Sequence, residues 1–330
     1  MLFSIDAQPF GVLPTAETSE PILEYFVKYT ETGEGFSILP AYGGILRQLV
    51  LGPKSLLINV LRAPDSPQAL FTDETYASAL LYPFPSRIRH GIYRFEGEEY
   101  ALPMNETARD NAIHGLVHPQ PFEVIGQDIS DEKAQLTVRY TNAEPIKGYP
   151  FPFSLTVSYI LTPPPADQPN QSCTLTLDFS ALNTGDTRCP ASFGWHPYFS
   201  LNGEETDALT IDMPVSELIH LDENLLPTGR SPFEGQGILA LRDRNLDNAF
   251  RVLSKPEGVT TVLHSPRQQL SLHVWQDAAF PYLVVYTPGR RDHIAIEPLT
   301  ANVNAFNNNE GLSVLEPGDA LQGQIKVWVG

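Results

Sequence analysis

The chain has 330 residues, with 21 Lys and Arg against 39 Asp and Glu, a formal charge of -18 at neutral pH. That field repels phosphate backbones and anionic headgroups, which argues against nucleic acid and membrane surfaces as partners. Two cysteines, Cys173 and Cys189, are too few for a disulfide framework or a thiolate metal cage, and no segment approaches the roughly 20 apolar residues of a membrane span, so the expectation is a soluble protein of the cytoplasm.

The chain opens MLFSIDAQPFGVLP, without a basic region followed by a long apolar run. Ala69 to Leu81 carries the best 3.6-residue stripe and predicts a short helix. In Pro85-Ser-Arg87-Ile-Arg-His-Gly91, Arg87 is a polar candidate. Arg87 and Arg89 share a strand face, as a phosphate clamp would need, while Arg94 falls on the other face. Asn111-Ala-Ile-His114-Gly115-Leu-Val-His118-Pro119 supplies a histidine before a glycine that permits a tight turn. His114 and His118 would converge on a metal only in a helix, which Gly115 and Pro119 oppose, so no metal site is expected.

From there the dominant pattern is period two. Leu136-Thr-Val-Arg-Tyr140 alternates, and so do Phe153, Leu155, Val157 and Tyr159 against Ser154, Thr156 and Ser158. Cys173, Leu175, Leu177 and Phe179 alternate with Thr174, Thr176 and Asp178, and Leu270 to Val274 and Ile325 to Val329 repeat the theme. Turn-forming clusters such as Thr162-Pro-Pro-Pro-Ala-Asp167 and Ser254-Lys-Pro-Glu-Gly258 separate them. This predicts an all-β chain, a large antiparallel β-sandwich read as a single domain over 1–330.

Three later segments hold groups that could move protons. In Gly194-Trp195-His196-Pro197-Tyr198-Phe199, the proline pushes His196 into extended backbone, and Trp195, Tyr198 and Phe199 offer a wall on which a sugar could stack. Alone, His196 reads first as a core histidine bonded to a carbonyl. Asp247 in Leu246-Asp247-Asn248-Ala-Phe250 adds a carboxylate. Trp275 lies on the polar parity of its strand, either a further stacking surface or an aromatic packed between sheets. In His293-Ile-Ala-Ile-Glu297-Pro298, Ile294 and Ile296 face one way and Ala295 and Glu297 the other, with the ladder expected to stop at Pro298. A Glu297 buried among apolar neighbours would have its pKa raised towards that of a general base, and its charge would keep a nearby His196 protonated.

Together these segments resemble the aldose 1-epimerase (galactose mutarotase) family. The resemblance runs over residues 35 to 330, through PFPSRIRHGIYRFEGEEYAL, NAIHG, KGYPFPFSLTVSYIL, GWHPYFSL, LDNAF and IAIEPLTANVNAFNNNEGLSVLEPGDALQ. It implies a galactose mutarotase-like supersandwich with an open cleft, and cofactor-free interconversion of the α and β anomers of a free aldose. On the matching positions Glu297 would be the general base at the C1 hydroxyl and His196 the general acid at the ring oxygen, with Arg87, His114 and Asp247 orienting the sugar. The chain departs from the family's usual pattern at Leu116, where a second glycine is common, and at Ser86, where asparagine is common. Both touch the sugar-facing rim, so the particular sugar stays open. A hexose-6-phosphate 1-epimerase and a non-catalytic carbohydrate-binding protein are the alternatives, and a homodimer stays open as a partner beside the sugar.

Overall fold

The computed structural model describes residues 1–14, 21–53, 56–168, 170–234 and 237–330. Every strand pairing in it is antiparallel, in two nine-stranded sheets, one five-stranded sheet and smaller ribbons. The predicted alternations are the strands of the first large sheet. Phe153–Thr162 pairs with Thr174–Asn183 residue for residue, from Phe153 opposite Asn183 to Thr162 opposite Thr174. Their odd-numbered side chains are buried and most even-numbered ones are partly exposed. Ala134–Asn142 flanks them on one side and Ala320–Val329 and Leu270–Gln276 on the other.

The second large sheet carries the segments of Asp247, Glu297 and His196, while those of Arg87 and His114 form a separate two-stranded ribbon. Asp247–Val252, Tyr282–Tyr286, Ile294–Leu299, Gly194–His196 and Ala79–Leu81 follow one another across the large sheet. Ile294 and Ile296 point into a core cluster that reaches from Phe3 to Val329, where they meet side chains of the first sheet. At its centre Phe179 of the first sheet stacks on Phe193, which precedes Gly194, with centroids 3.8 Å apart. Burying an aromatic of this size contributes about 1.5–3 kcal/mol. The five-stranded sheet, Phe3–Gly11 to Ile58–Asn59, is tied to the first large sheet by the buried Tyr159 hydroxyl, which donates to Gly44 O at 2.7 Å.

Three local expectations are corrected. The stripe from Ala69 to Leu81 yields only the single turn Pro67–Phe71, capped by Ser66, and Ala79–Leu81 is a strand. The chain leaves the helix because Tyr76 and Ser78 adopt left-handed backbone and Asp73 Oδ2 accepts from Ala77 N at 3.2 Å. Pro298 does not end its strand, since pairing continues to Leu299 opposite Tyr282. Trp275 is neither a sandwich-core residue nor a sugar wall: its strand turns it outward, where Nε1 donates to Glu257 O and the Lys326 ammonium sits 4.7 Å above the ring. Both cysteines are free and buried. Among the described residues no helix is long and apolar enough to cross a bilayer.

Gly194 is a point of close approach in the second large sheet. A Cβ there would lie 2.5 Å from Leu299 Cδ2 and 2.8 Å from Pro85 Cβ, so only glycine lets Gly194–His196 close against Ile294–Leu299. Gly194→Ala is expected to destabilise the protein by about 1–3 kcal/mol through this overpacking. Urea unfolding measures it, and an unchanged midpoint would show that the strand gives way freely.

Candidate active site

All five residues singled out from the sequence, Arg87, His114, His196, Asp247 and Glu297, line one open cleft of about 780 Å³ on the second large sheet. Each is aimed by the backbone. His196 ends its strand opposite Ala79, and its carbonyl accepts from Ser78 N at 2.8 Å. Trp195 and Phe199 point the other way and are fully buried in the core, so of the three predicted wall aromatics only Tyr198 lines the cleft. The reason is strand parity: residues 196 and 198 share one face and 195 and 199 the other. The Tyr198 ring lies 5.0 Å from that of His196 and is braced behind by His293 at 4.9 Å.

Glu297 sits in mid-strand opposite Val284, and Asp247 opens the strand that pairs with Tyr286. His114 follows Asn111–Ile113 in left-handed backbone and donates its N–H to Ser86 O at 2.9 Å. Gly115 is required next to it, because its φ is +77° and a Cβ would stand 2.4 Å from Tyr82 O. Arg87 lies opposite Ile113 at the start of Arg87–Arg89. Arg89 shares its parity but leaves the cleft to pair with Asp222 at 3.3 Å, and Arg94 pairs with Glu99. Arg87 and Arg89 therefore do not form a clamp, and Arg94 stays apart from both.

The centre of the site is a buried pair. His196 Nε2 and Glu297 Oε1 are 3.4 Å apart, with both side chains almost closed to solvent. Loss of water disfavours either charge. It drives the Glu297 carboxyl well above the usual carboxylate range, helped by the Asp247 charge and opposed by Arg87. It lowers His196 to about 4, with the Arg87 and His118 charges adding to it. Burial therefore works on both groups against the charge separation that would keep His196 protonated beside an ionised Glu297. His114, whose ring stands 5.0 Å from that of His196, is pushed well below the usual imidazole range by the same burial, with the Arg87 charge acting in the same direction. Asp247 is raised by partial desolvation against the pull of Arg87.

Two cleft residues, Tyr76 and Glu106, were not legible in the sequence, and His118 was weighed there only as a metal partner for His114. Tyr76 covers His114 and His118, with ring centroids 4.7 and 5.7 Å away, and its hydroxyl accepts from Asn105 Nδ2. His118 completes the row beside Tyr42. Glu106 receives Arg87 through two parallel bonds, Nε to Oε2 at 2.9 Å and Nη2 to Oε1 at 3.0 Å. No motif marks Glu106, because its partner is 19 residues away on a neighbouring strand.

The antiparallel supersandwich is of the galactose mutarotase-like class of folds. The sequence profile described as aldose 1-epimerase matches residues 31–328, and the chain belongs to that family. It is 28% identical over 244 residues to an uncharacterized Escherichia coli (strain K12) protein, YihR, covering 72% of this chain and 74% of that one. It is 24% identical over 269 residues to an Escherichia coli (strain K12) aldose 1-epimerase, covering 76% and 68%. Among solved structures, a galactose mutarotase-like protein from Clostridium acetobutylicum superposes with a TM-score of 0.81 at 19% identity, over 99% of this chain and 98% of that one. A galactose 1-epimerase from Lactobacillus acidophilus gives 0.80 at 18% identity, over 99% of each chain.

The neutral imidazoles give a direct test. In NMR titrations, the ring protons of His118 and His196 should shift with midpoints near 4, since burial lowers both to about that value. A midpoint near the ordinary 6.5 for either ring would show that the cleft does not exclude water as described.

Proposed function

We propose that the protein is an aldose 1-epimerase in activity as well as in family, an isomerase that exchanges the α and β anomers of a free aldose without a cofactor. The observation that carries this reading is the 3.4 Å separation of His196 Nε2 and Glu297 Oε1 at the end of an open cleft. Opening a pyranose needs one proton taken from the C1 hydroxyl and one given to the ring oxygen, and both oxygens belong to the same carbon. A donor and an acceptor this close can serve both at once.

Glu297 takes the C1 hydroxyl proton and His196 delivers one to the ring oxygen. The C1–C2 bond turns in the open aldehyde, and closure runs the same transfers backwards. Each group thus gives and takes once per cycle, so the pair needs a single proton and exchanges none with solvent. The bound sugar favours the working charge state, because hydroxyls donating to Glu297 replace the water that burial removed and stabilise the carboxylate. Arg87, His114 and Asp247 hold the hydroxyls, and the Tyr198 ring faces the sugar. The binding-only alternative leaves a buried, desolvated acid–base pair without a purpose.

Freshly dissolved α-glucose and α-galactose, followed by polarimetry, should reach anomeric equilibrium faster with the protein present. His196→Asn and Glu297→Gln should each lower the rate by about 10²–10⁴ while leaving the fold intact. Binding without acceleration for every common aldose would mean a lectin-like protein.

The pH dependence has a defined sign. Below about 4 His196 gains a proton while Glu297 keeps its own, so the pair has no acceptor. Above the raised Glu297 midpoint the pair has lost its proton and has no donor. The profile of kcat/KM should be a broad bell with its acid limb near 4, and an acid limb near 6.5 would exclude the shared-proton scheme.

A further inference from the structure

Both guanidiniums that line the cleft end on one carboxylate. Glu106 Oε1 accepts from Arg87 Nη2 at 3.0 Å and from Arg109 Nη1 at 3.2 Å, and Oε2 accepts from Arg87 Nε at 2.9 Å and from Asn111 Nδ2 at 3.0 Å. The remaining Asn111 amide proton goes to Asn224 O at 3.2 Å. The carboxylate is thus saturated, with four donors on its four acceptor sites. Burial alone would raise its pKa, but the bonds from Arg87 and Asn111 and the charges of Arg87 and Arg109 outweigh burial and hold it below the ordinary range, so it stays anionic.

Among the described residues, each guanidinium lining the cleft is thus paired with Glu106, Arg87 through two nitrogens and the half-exposed Arg109 through one. The other formally charged residues lining the cleft are Asp73, Glu74, Asp247 and Glu297, all acidic. A phosphate-bearing sugar is recognised by guanidinium or ammonium groups that its oxygens can approach. Here the planar fork of Arg87 is already filled through Nε and Nη2, and only the Nη1 edge faces away from Glu106.

We propose that Glu106 is a specificity-determining and positioning residue: by occupying Arg87 and Arg109 together, it reserves the cleft for uncharged aldoses and presents one fixed edge of Arg87 to a sugar hydroxyl. The proposal rests on the anomer-exchange reading of the cleft and adds to it the reason why a 6-phosphate is refused. The effect is local, because Arg87 and Glu106 are both largely shielded from solvent and their pairing is little screened by salt.

The test compares wild type, Glu106→Gln and Glu106→Asp by NMR exchange of glucose and glucose 6-phosphate anomers, with calorimetric titration of inorganic phosphate alongside. Wild type should prefer glucose and bind phosphate negligibly. Glu106→Gln should lower KM for glucose 6-phosphate and tighten phosphate binding at least tenfold, while Glu106→Asp should retain the wild-type preference. Equal losses on both sugars with an unchanged ratio, or a wild type that accepts the 6-phosphate as readily as glucose, would overturn the proposal. If wild type exchanges no aldose, the anomer-exchange reading fails, and the phosphate titration still decides the role of Glu106. Should Glu106→Gln not fold, Thr107→Lys adds a third cation to the same rim, and phosphate binding that fails to rise would count equally against it.

Discussion

The His196 ring and the Glu297 carboxyl are brought together by backbone, not by their own attraction. Gly194–His196 lies beside Ile294–Leu299 through the pairing of Gly194 with Leu299, and Tyr198 pairs with Ala295 two residues before Glu297. These bonds set the separation of the two side chains before any proton is assigned. The attraction between an imidazolium and a carboxylate would be offset here by the cost of desolvating both, as in buried ion pairs generally. A rigid sheet can hold a pair that would not hold itself. The burial that stabilises the sandwich through Ile294 and Ile296 on one face of this strand therefore tunes Glu297 on the other.

The architecture was legible where one face of a strand is wet. Phe153 to Tyr159 and Cys173 to Phe179 alternate because one side meets the core and the other water, and the structure pairs these two runs in full register. Glu297 was readable although both faces of its strand are buried, because a carboxylate stands out by its chemistry on the parity opposite two core isoleucines. The reading failed where both faces of a strand are covered and the residues in question are aromatic. In Gly194–His196 and Tyr198–Phe199 every residue is buried, so hydrophobicity does not distinguish the core side of Trp195 and Phe199 from the cleft side of His196 and Tyr198. It failed again at Ala69 to Leu81, where a helical stripe is overridden by a turn whose Asp73 side chain binds backbone and whose Tyr76 leaves helical space.

The electrostatics were the least legible part. A sequence shows that a carboxylate and an imidazole exist and leaves unstated how much water each keeps. Placed near a surface, the opposite charge would dominate and His196 would be protonated; enclosed as it is, desolvation comes first for both groups. Glu106 is the same lesson in reverse. Burial would raise it, yet two guanidiniums and an amide reverse the sign, and of the three only Arg87, 19 residues away, is distant in sequence.

Around the cleft the chain breaks its own local rules. Tyr76, Ser86 and His114 all line it, and all have φ between +56° and +64°, a region that costs an L-residue about 1–2 kcal/mol each. Ser86 and His114 are tied to each other by the bond from His114 N to Ser86 O, so the two strained turns that aim Arg87 and the His114 ring support one another. Such a conformation persists only where the surroundings over-determine it, and here the strand pair Arg87–Arg89 with Asn111–Ile113 does so from both sides. Ser86 is also a position where asparagine, which tolerates this backbone better, would be the less costly residue. Conflict between local preference and global structure that gathers at one rim, and is relieved by a bond within that rim, is what a site shaped for geometry ahead of stability produces.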